Sequence, residues 1–131
     1  MSLSSKIEEL KKRFREALQF IDKKDAVQAA EKLYKVAENA IKILSEIKKL
    51  AEYNIAKKEG TWWTKLLDRA ARKLRDIYGE EILNAWTTAY RFHQMGFHEE
   101  QLTIEEILKD AYKIEDLIKI VESEIRKSLP E

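Results

Sequence analysis

DAVQAAEKLYKVAENAIKILSEIKKLAEYNIAKK, residues 25–58, is the stretch whose pattern decides the fold. Ala26, Ala30, Leu33, Ala37, Ala40, Leu44, Ile47 and Ala51 recur at alternating intervals of three and four, one face of an α-helix. Tyr34, Ile41 and Ile55 widen that face, and Val36, Ile43 and Leu50 lie about 100° further round. A helix apolar over so wide an arc has to be covered on two or three sides. The stretch therefore reads as one uninterrupted helix, Asp25 to Lys58, forming the spine of an all-α bundle.

Outward from the spine, the flanking segments supply its cover. On the N-terminal side Leu3, Ile7, Leu10, Phe14, Ala17 and Ile21 keep heptad spacing, with Ser5 and Glu8 placed as a capping box. Asp25 is a ready N-cap with Gln28 three residues on, so the first two helices form a tightly turned antiparallel hairpin. On the C-terminal side the chain's three glycines, Gly60, Gly79 and Gly96, fall where the periodicity breaks, and its single proline, Pro130, stands at the end. Between them Thr61 caps a third helix that Gly79 closes, and Glu80 and Glu81 open a fourth, where carboxylates meet the positive end of the helix dipole. Gly96 to Leu102 reads as the longest loop. Thr103 with Glu106 is a second capping box, opening a final helix that carries Ile107, Ala111, Ile114, Ile118, Val121 and Ile125 in register. The expectation is five helices in an up-and-down arrangement, one domain over residues 1–131.

At this length a single core suffices without staples. There is no cysteine, which excludes disulfides, thiolate nucleophiles and Cys-ligated zinc. No apolar run reaches membrane length, and Lys6, Glu8 and Glu9 interrupt any N-terminal signal segment, so a cytoplasmic protein without a membrane partner is expected. Charged residues make up 37% of the chain, yet the formal net charge is +1, so any polyanion site has to be a local patch. Many charges stand in the favourable order, acid four residues before base: Glu8–Lys12, Glu31–Lys35, Glu105–Lys109, Glu115–Lys119 and Glu122–Arg126. The richness in Lys, Glu and Ile resembles thermophile usage.

Two constellations could carry function. Both histidines fall in the run from Tyr90 to Glu100, and Arg91 and His98, with six residues between them, are the candidate catalytic pair. Histidine would move a proton and arginine would stabilise a phosphorane-like state in metal-independent RNA cleavage. The structural alternative keeps His93 as a buried, hydrogen-bonded side chain and makes His98 a loop residue that donates to a backbone carbonyl or to Glu99. No metal site is expected, because His93 and His98 are five apart and lack the Glu-x-x-His or His-Glu-x-x-His pattern. No cofactor is expected either. The second constellation is the basic face of the third helix, Lys65, Arg69, Arg72 and Lys73, beside Trp62 and Trp63, where cations and an aromatic platform would hold nucleic-acid phosphates and a stacked base. Asp68 and Asp76 dilute that face. Trp62, Trp63, Trp86 and Phe97 exceed what one small bundle needs, which predicts a homodimer.

The segment TWWTKLLDRAA, residues 61–71, with Ala85-Trp86, the Gly96-Phe97-His98-Glu99 turn and AAEKLYKVAENA, residues 29–40, resembles the archaeal PaREP paralogous family. That resemblance implies a small helical protein from a thermophilic archaeon. More remotely, the helical hairpin with an alanine-rich second helix is similar to the HEPN bundles, whose nuclease members pair an arginine with a histidine at the spacing of Arg91 and His98. Phe92 stands where those bundles carry a polar residue, and Gly96 interrupts the helix. The reading that follows is a non-catalytic helical interaction module associated with nucleic acid or with a protein partner. The alternatives are a HEPN-like ribonuclease and a binder of a small ligand between helices.

Overall fold

Every regular element of the computed structural model, which describes residues 2–128, is helical. Pro130, read above as a terminal stop, lies outside the described residues. The elements are α1 (Leu3–Asp22), α2 (Ala26–Ile47), α3 (Ala51–Glu59), α4 (Thr64–Tyr78), α5 (Glu80–Arg91), a π-helical segment (Phe92–His98), α6 (Ile104–Asp110) and α7 (Tyr112–Ser128). Because α5 runs straight into the π segment and α6 continues into α7 through a jog at Ala111, they make six rods rather than the expected five.

The sixth rod comes from a break in the spine. Helix α2 ends at Ile47, and α3 restarts at Ala51. Lys49 adopts φ +55, the left-handed region. The Leu50 amide donates to the Ser45 carbonyl at 3.0 Å and the Lys49 amide to the Glu46 carbonyl at 3.1 Å, the paired bonds of a Schellman stop. The same motif ends α1, with Lys24 at φ +61, Asp25 N–H to the Phe20 carbonyl and Lys24 N–H to the Ile21 carbonyl, both at 2.9 Å. Lysine occupies both positions where glycine would be the ordinary signal, so glycine punctuation passes over them. Lys48, the last residue before the break, is itself tied down: its Nζ lies 2.7 Å from Glu124 Oε1 on α7. That contact holds the Glu124 carboxyl below the usual carboxylate range, against the opposing effect of burial. A depressed carboxylate adds stability above its unfolded pKa and loses it as pH falls through the folded value, so this latch weakens only in acid.

Two helix starts differ from the sequence expectation. Ser2, not Ser5, caps α1, its Oγ accepting from the Ser5 amide at 3.1 Å, because the helix begins early enough for Leu3 to pack on the core. Trp63, not Thr61, precedes α4: its Nε1 donates to Glu59 Oε2 at 2.8 Å across the Gly60 turn, and the chain stays out of the helix until Thr64. Of the acid-to-base pairs, Glu122–Arg126 forms at 3.6 Å, whereas Glu31 turns to a different partner. The Asp25 cap and the Thr103–Glu106 capping box form as expected.

Helix α2 touches every other element. Its Ala29, Ala30, Leu33, Val36, Ala37, Ala40, Ile41 and Leu44 are wholly buried, and their small side chains let the neighbouring helices approach closely. The predicted stripes of α1 and of the last rod pack on it: Ile7, Leu10, Phe14, Ala17 and Ile21 from one side, Ile107, Ile114, Ile118, Val121 and Ile125 from another. Trp86 and Phe92 fill the space between α5 and the spine. No described helix is long and apolar enough to cross a membrane.

The lysine at the break makes a prediction. Relief of a side chain held in the left-handed region is worth about 1–2 kcal/mol, and glycine returns about 0.5–1 kcal/mol of that as backbone entropy. Lys49→Gly should therefore stabilise the fold by about 0.5–1 kcal/mol, read as a higher denaturant midpoint at unchanged slope. A loss of stability would show that the Lys49 side chain holds the break by contacts that outweigh its backbone strain.

Candidate functional site

The π segment is built on a close approach. Gly96 is buried against α2, and a Cβ placed there would come within 2.5 Å of the Ala30 Cβ and 3.4 Å of Leu102 Cδ1. Two ordinary side chains cannot pack at that separation, so this glycine serves proximity rather than a turn. Instead of opening a loop, the helix continues and widens through Phe92–His98, and Phe92 stays fully buried. At its end the Glu99 amide donates to the Gln94 carbonyl at 3.0 Å and the Gln101 amide to the Met95 carbonyl at 2.7 Å, with Glu100 at φ +53. Buried Leu102 then anchors the short connection to α6.

The change of winding decides where the histidines go. On an α-helix, residues five apart lie about 140° apart around the axis, whereas the wider winding of a π-helix, with its i→i+5 hydrogen bonds, brings them round toward one face. His98 Nε2 accordingly lies 3.1 Å from His93 Nε2. The other ring nitrogen of His93, Nδ1, is 2.9 Å from Glu31 Oε1 on α2. Tyr34, also on α2, stacks on the His93 ring at 4.1 Å between centroids, and Phe97 lies near-parallel to it at 6.2 Å. The Tyr34 hydroxyl donates to Glu38 Oε2 at 3.2 Å, and burial, followed by the Glu38 charge, pushes its pKa upward. Gln94 Nε2 donates to the Tyr90 hydroxyl at 2.8 Å. His93 is thus half-buried in an aromatic frame, bonded on one side to a carboxylate and on the other to an exposed histidine.

Arg91 is engaged elsewhere. Its Nη2 donates to Asp110 Oδ2 on α6 at 2.8 Å, and Lys113 reaches the same carboxylate at 3.4 Å. The imidazole partner of His98 is His93 rather than Arg91, Glu99 or a backbone carbonyl. Glu31 and Tyr34 are not marked as site residues by the sequence; their only signal is their place on α2, Glu31 next to Ala30 and Tyr34 one turn beyond it.

The basic face of α4 divides in two. Arg72 pairs with Asp68 at 2.9 Å, and Lys73 with buried Glu52 of α3 at 2.9 Å. Asp68 also accepts from Trp86 Nε1 at 3.2 Å, which ties it into the core. Lys65 and Arg69 are exposed and make no ion pair among the described residues, and neither do Lys57 and Lys58 at the facing end of α3. In the connection between α3 and α4 stands Trp63, 54% exposed. Of the aromatics expected to drive association, Trp86 belongs to the core, and Trp62 and Phe97 are half-buried. A cleft of about 340 Å³ lies between α1 and α2, floored by Leu10 and Ile43, but its rim is self-paired, with Lys6 2.5 Å from Glu46 and Arg13 3.2 Å from Glu9.

The sequence profile of the archaeal PaREP1/PaREP8 family matches residues 5–118. The chain belongs to this family. The crystal structure of a Sulfolobus solfataricus protein, NESG target SsR10, is similar over 88% of this chain and 95% of that one, at 33% identity and a TM-score of 0.82. The solution structure of the same target is similar over 95% of each chain, at 34% identity and a TM-score of 0.78. Comparison with functionally curated proteins finds no match. The family assignment supports the all-helical fold, and the site residues speak for themselves.

The packing of Gly96 generates the second prediction. Gly96→Ala should destabilise the protein by about 1–3 kcal/mol, the range for overpacking, although alanine is the better helix former. The companion change Ala30→Gly should restore part of that loss in a double-mutant cycle. Equal stability of Gly96→Ala and wild type would remove the close approach.

Proposed function

We propose that the protein is a non-catalytic, cytoplasmic helical module that binds single-stranded nucleic acid, RNA by preference, at the end of the α3–α4 hairpin. The observation that carries this reading is that Lys58, Lys65 and Arg69, all exposed and without an ion pair among the described residues, stand on the two helices that Trp63 joins, and that Trp63 itself is half-exposed. In a chain of net charge +1, exposed cations without ion pairs on two adjoining helices are a local field rather than a bulk property. Trp63 adds the sequence-tolerant stacking surface that single strands use. The hydrogen bond from its Nε1 to Glu59 fixes the indole, so little entropy is lost when a base stacks. Arg72 and Lys73 belong to the fold in this reading, since their charges are already answered.

A two-fold homodimer is part of the proposal. Leu108 and Tyr112, one helical turn apart, are 58% and 55% exposed and lie away from the basic end, so pairing through α6 and α7 would leave both nucleic-acid faces open. The HEPN-like ribonuclease remains the alternative. It requires Arg91 to leave Asp110, or an arginine to come from a second subunit, before a phosphate fits beside His98.

The test is binding of a labelled single-stranded RNA as a function of salt. Each lost phosphate contact lowers the slope of log affinity against log salt by ~0.7 for single strands, so Lys65→Ala with Arg69→Ala should lower it by ~1.4. Trp63→Ala should cost about 1–3 kcal/mol with the slope unchanged. No binding at low salt, or a slope indifferent to both lysine and arginine, would refute the proposal. RNA incubated in EDTA should stay intact; cleavage that both Arg91→Ala and His98→Ala abolish would establish the ribonuclease instead.

A further inference from the structure

We infer that His93 and His98 form a two-imidazole site for a borderline first-row metal ion such as Zn²⁺, Ni²⁺ or Co²⁺, with Glu31 as the carboxylate behind it. The two Nε2 atoms face one another at 3.1 Å. Metal–nitrogen bonds of ~2.0–2.1 Å spanning that separation would subtend roughly 95–102° at the ion, between the octahedral and tetrahedral angles. The two nitrogens therefore already stand at the separation one metal needs, and binding replaces the hydrogen bond between them: the His98 proton moves from Nε2 to Nδ1, and the rings turn until both Nε2 lone pairs meet at the ion.

Glu31 supplies the second independent feature. Its Oε1 lies 2.9 Å from Nδ1 of His93, which places the proton of the neutral ring on Nδ1 and leaves the lone pair on Nε2, directed at His98. A carboxylate on the far nitrogen of a liganding histidine fixes the tautomer and raises its basicity. The frame is rigid, because Tyr34 stacks on His93 and Phe97 meets the His98 ring edge-on at 5.2 Å. Imidazole suits these ions, and the exposed position of His98 provides a way in. No group of three or more acidic or histidine side chains converges among the described residues, so the remaining coordination positions face solvent and would hold water or an exchangeable anionic ligand. In the sequence His98 reads as a loop residue five positions from His93, a spacing that matches no helical ligand motif. The π winding removes that objection.

The experiment is a calorimetric titration of the untagged full chain with Zn²⁺ at pH 7.5, with Co²⁺ visible absorption as a second readout. Saturable binding of one ion per chain is expected, accompanied by shifts of both imidazole proton sets. His98→Ala, at an exposed position where folding is not at stake, should abolish it. Glu31→Gln should weaken it by about 10–100-fold, the usual effect of removing such a carboxylate. The inference is overturned if no saturable binding appears up to millimolar Zn²⁺, or if His98→Ala binds as wild type does.

Discussion

Contact between Gly96 and Ala30 is the constraint on which the rest of the molecule depends. A helix that carries Ala29 and Ala30 on its buried face, and a neighbour that carries glycine opposite them, can bring their backbones closer than any pair of larger residues allows. That closeness brings the face of the π segment, with His93 on it, within reach of Glu31, next to Ala30, and of Tyr34, one turn along α2. It also leaves no room for α-helical winding to be restored by a side chain at position 96. The chemistry of the candidate site is therefore a consequence of core packing: the aromatic and polar residues were placed by a methyl group and a missing one.

The same economy explains how the bundle is divided. Helix α2 is buried over most of its surface because every other element touches it, with Gln28 and Lys35 left on its exposed side. The stop at Lys49 lets α3 turn away and present Glu52 to Lys73, so that α3 and α4 form the separate hairpin whose tip gathers Trp63 and its cations. Lys48 is pinned to Glu124 at the same point, which joins the break in the spine to the last helix. Site and support are coupled at both ends of α2: the histidine cluster near its start and the basic hairpin beyond its end.

Much of this was legible in the residues. Apolar spacing identified the buried faces of α1, α2 and α7 almost residue by residue, because a 3.6-residue period survives any detail of packing. Side-chain caps at Asp25 and Thr103 were legible because their chemistry is local. Three kinds of information were not. A lysine in the left-handed region at 24 and 49 carries no sequence mark, since the strain is answered by Schellman hydrogen bonds that form only in the folded chain. Gly96 carried a mark that pointed the wrong way, because a glycine needed for closeness and a glycine needed for a turn look alike in one dimension. The pairing of His93 with His98 was hidden behind it, as an i, i+5 relation means nothing until the winding is known. Charges were the least legible: Glu31 had Lys35 in ideal helical register and chose His93, and half of the basic face of α4 went to internal partners.

The most direct test of this account is two-dimensional NMR of the histidine side chains in the wild-type protein. If the Gly96–Ala30 approach winds residues 92–98 as a π-helix, nuclear Overhauser contacts should join the His93 and His98 rings, ring protons of His93 should contact Tyr34, and His93 should hold its proton on Nδ1 while neutral. Imidazole spectra with no contact between the two rings and averaged tautomers on His93 would contradict it.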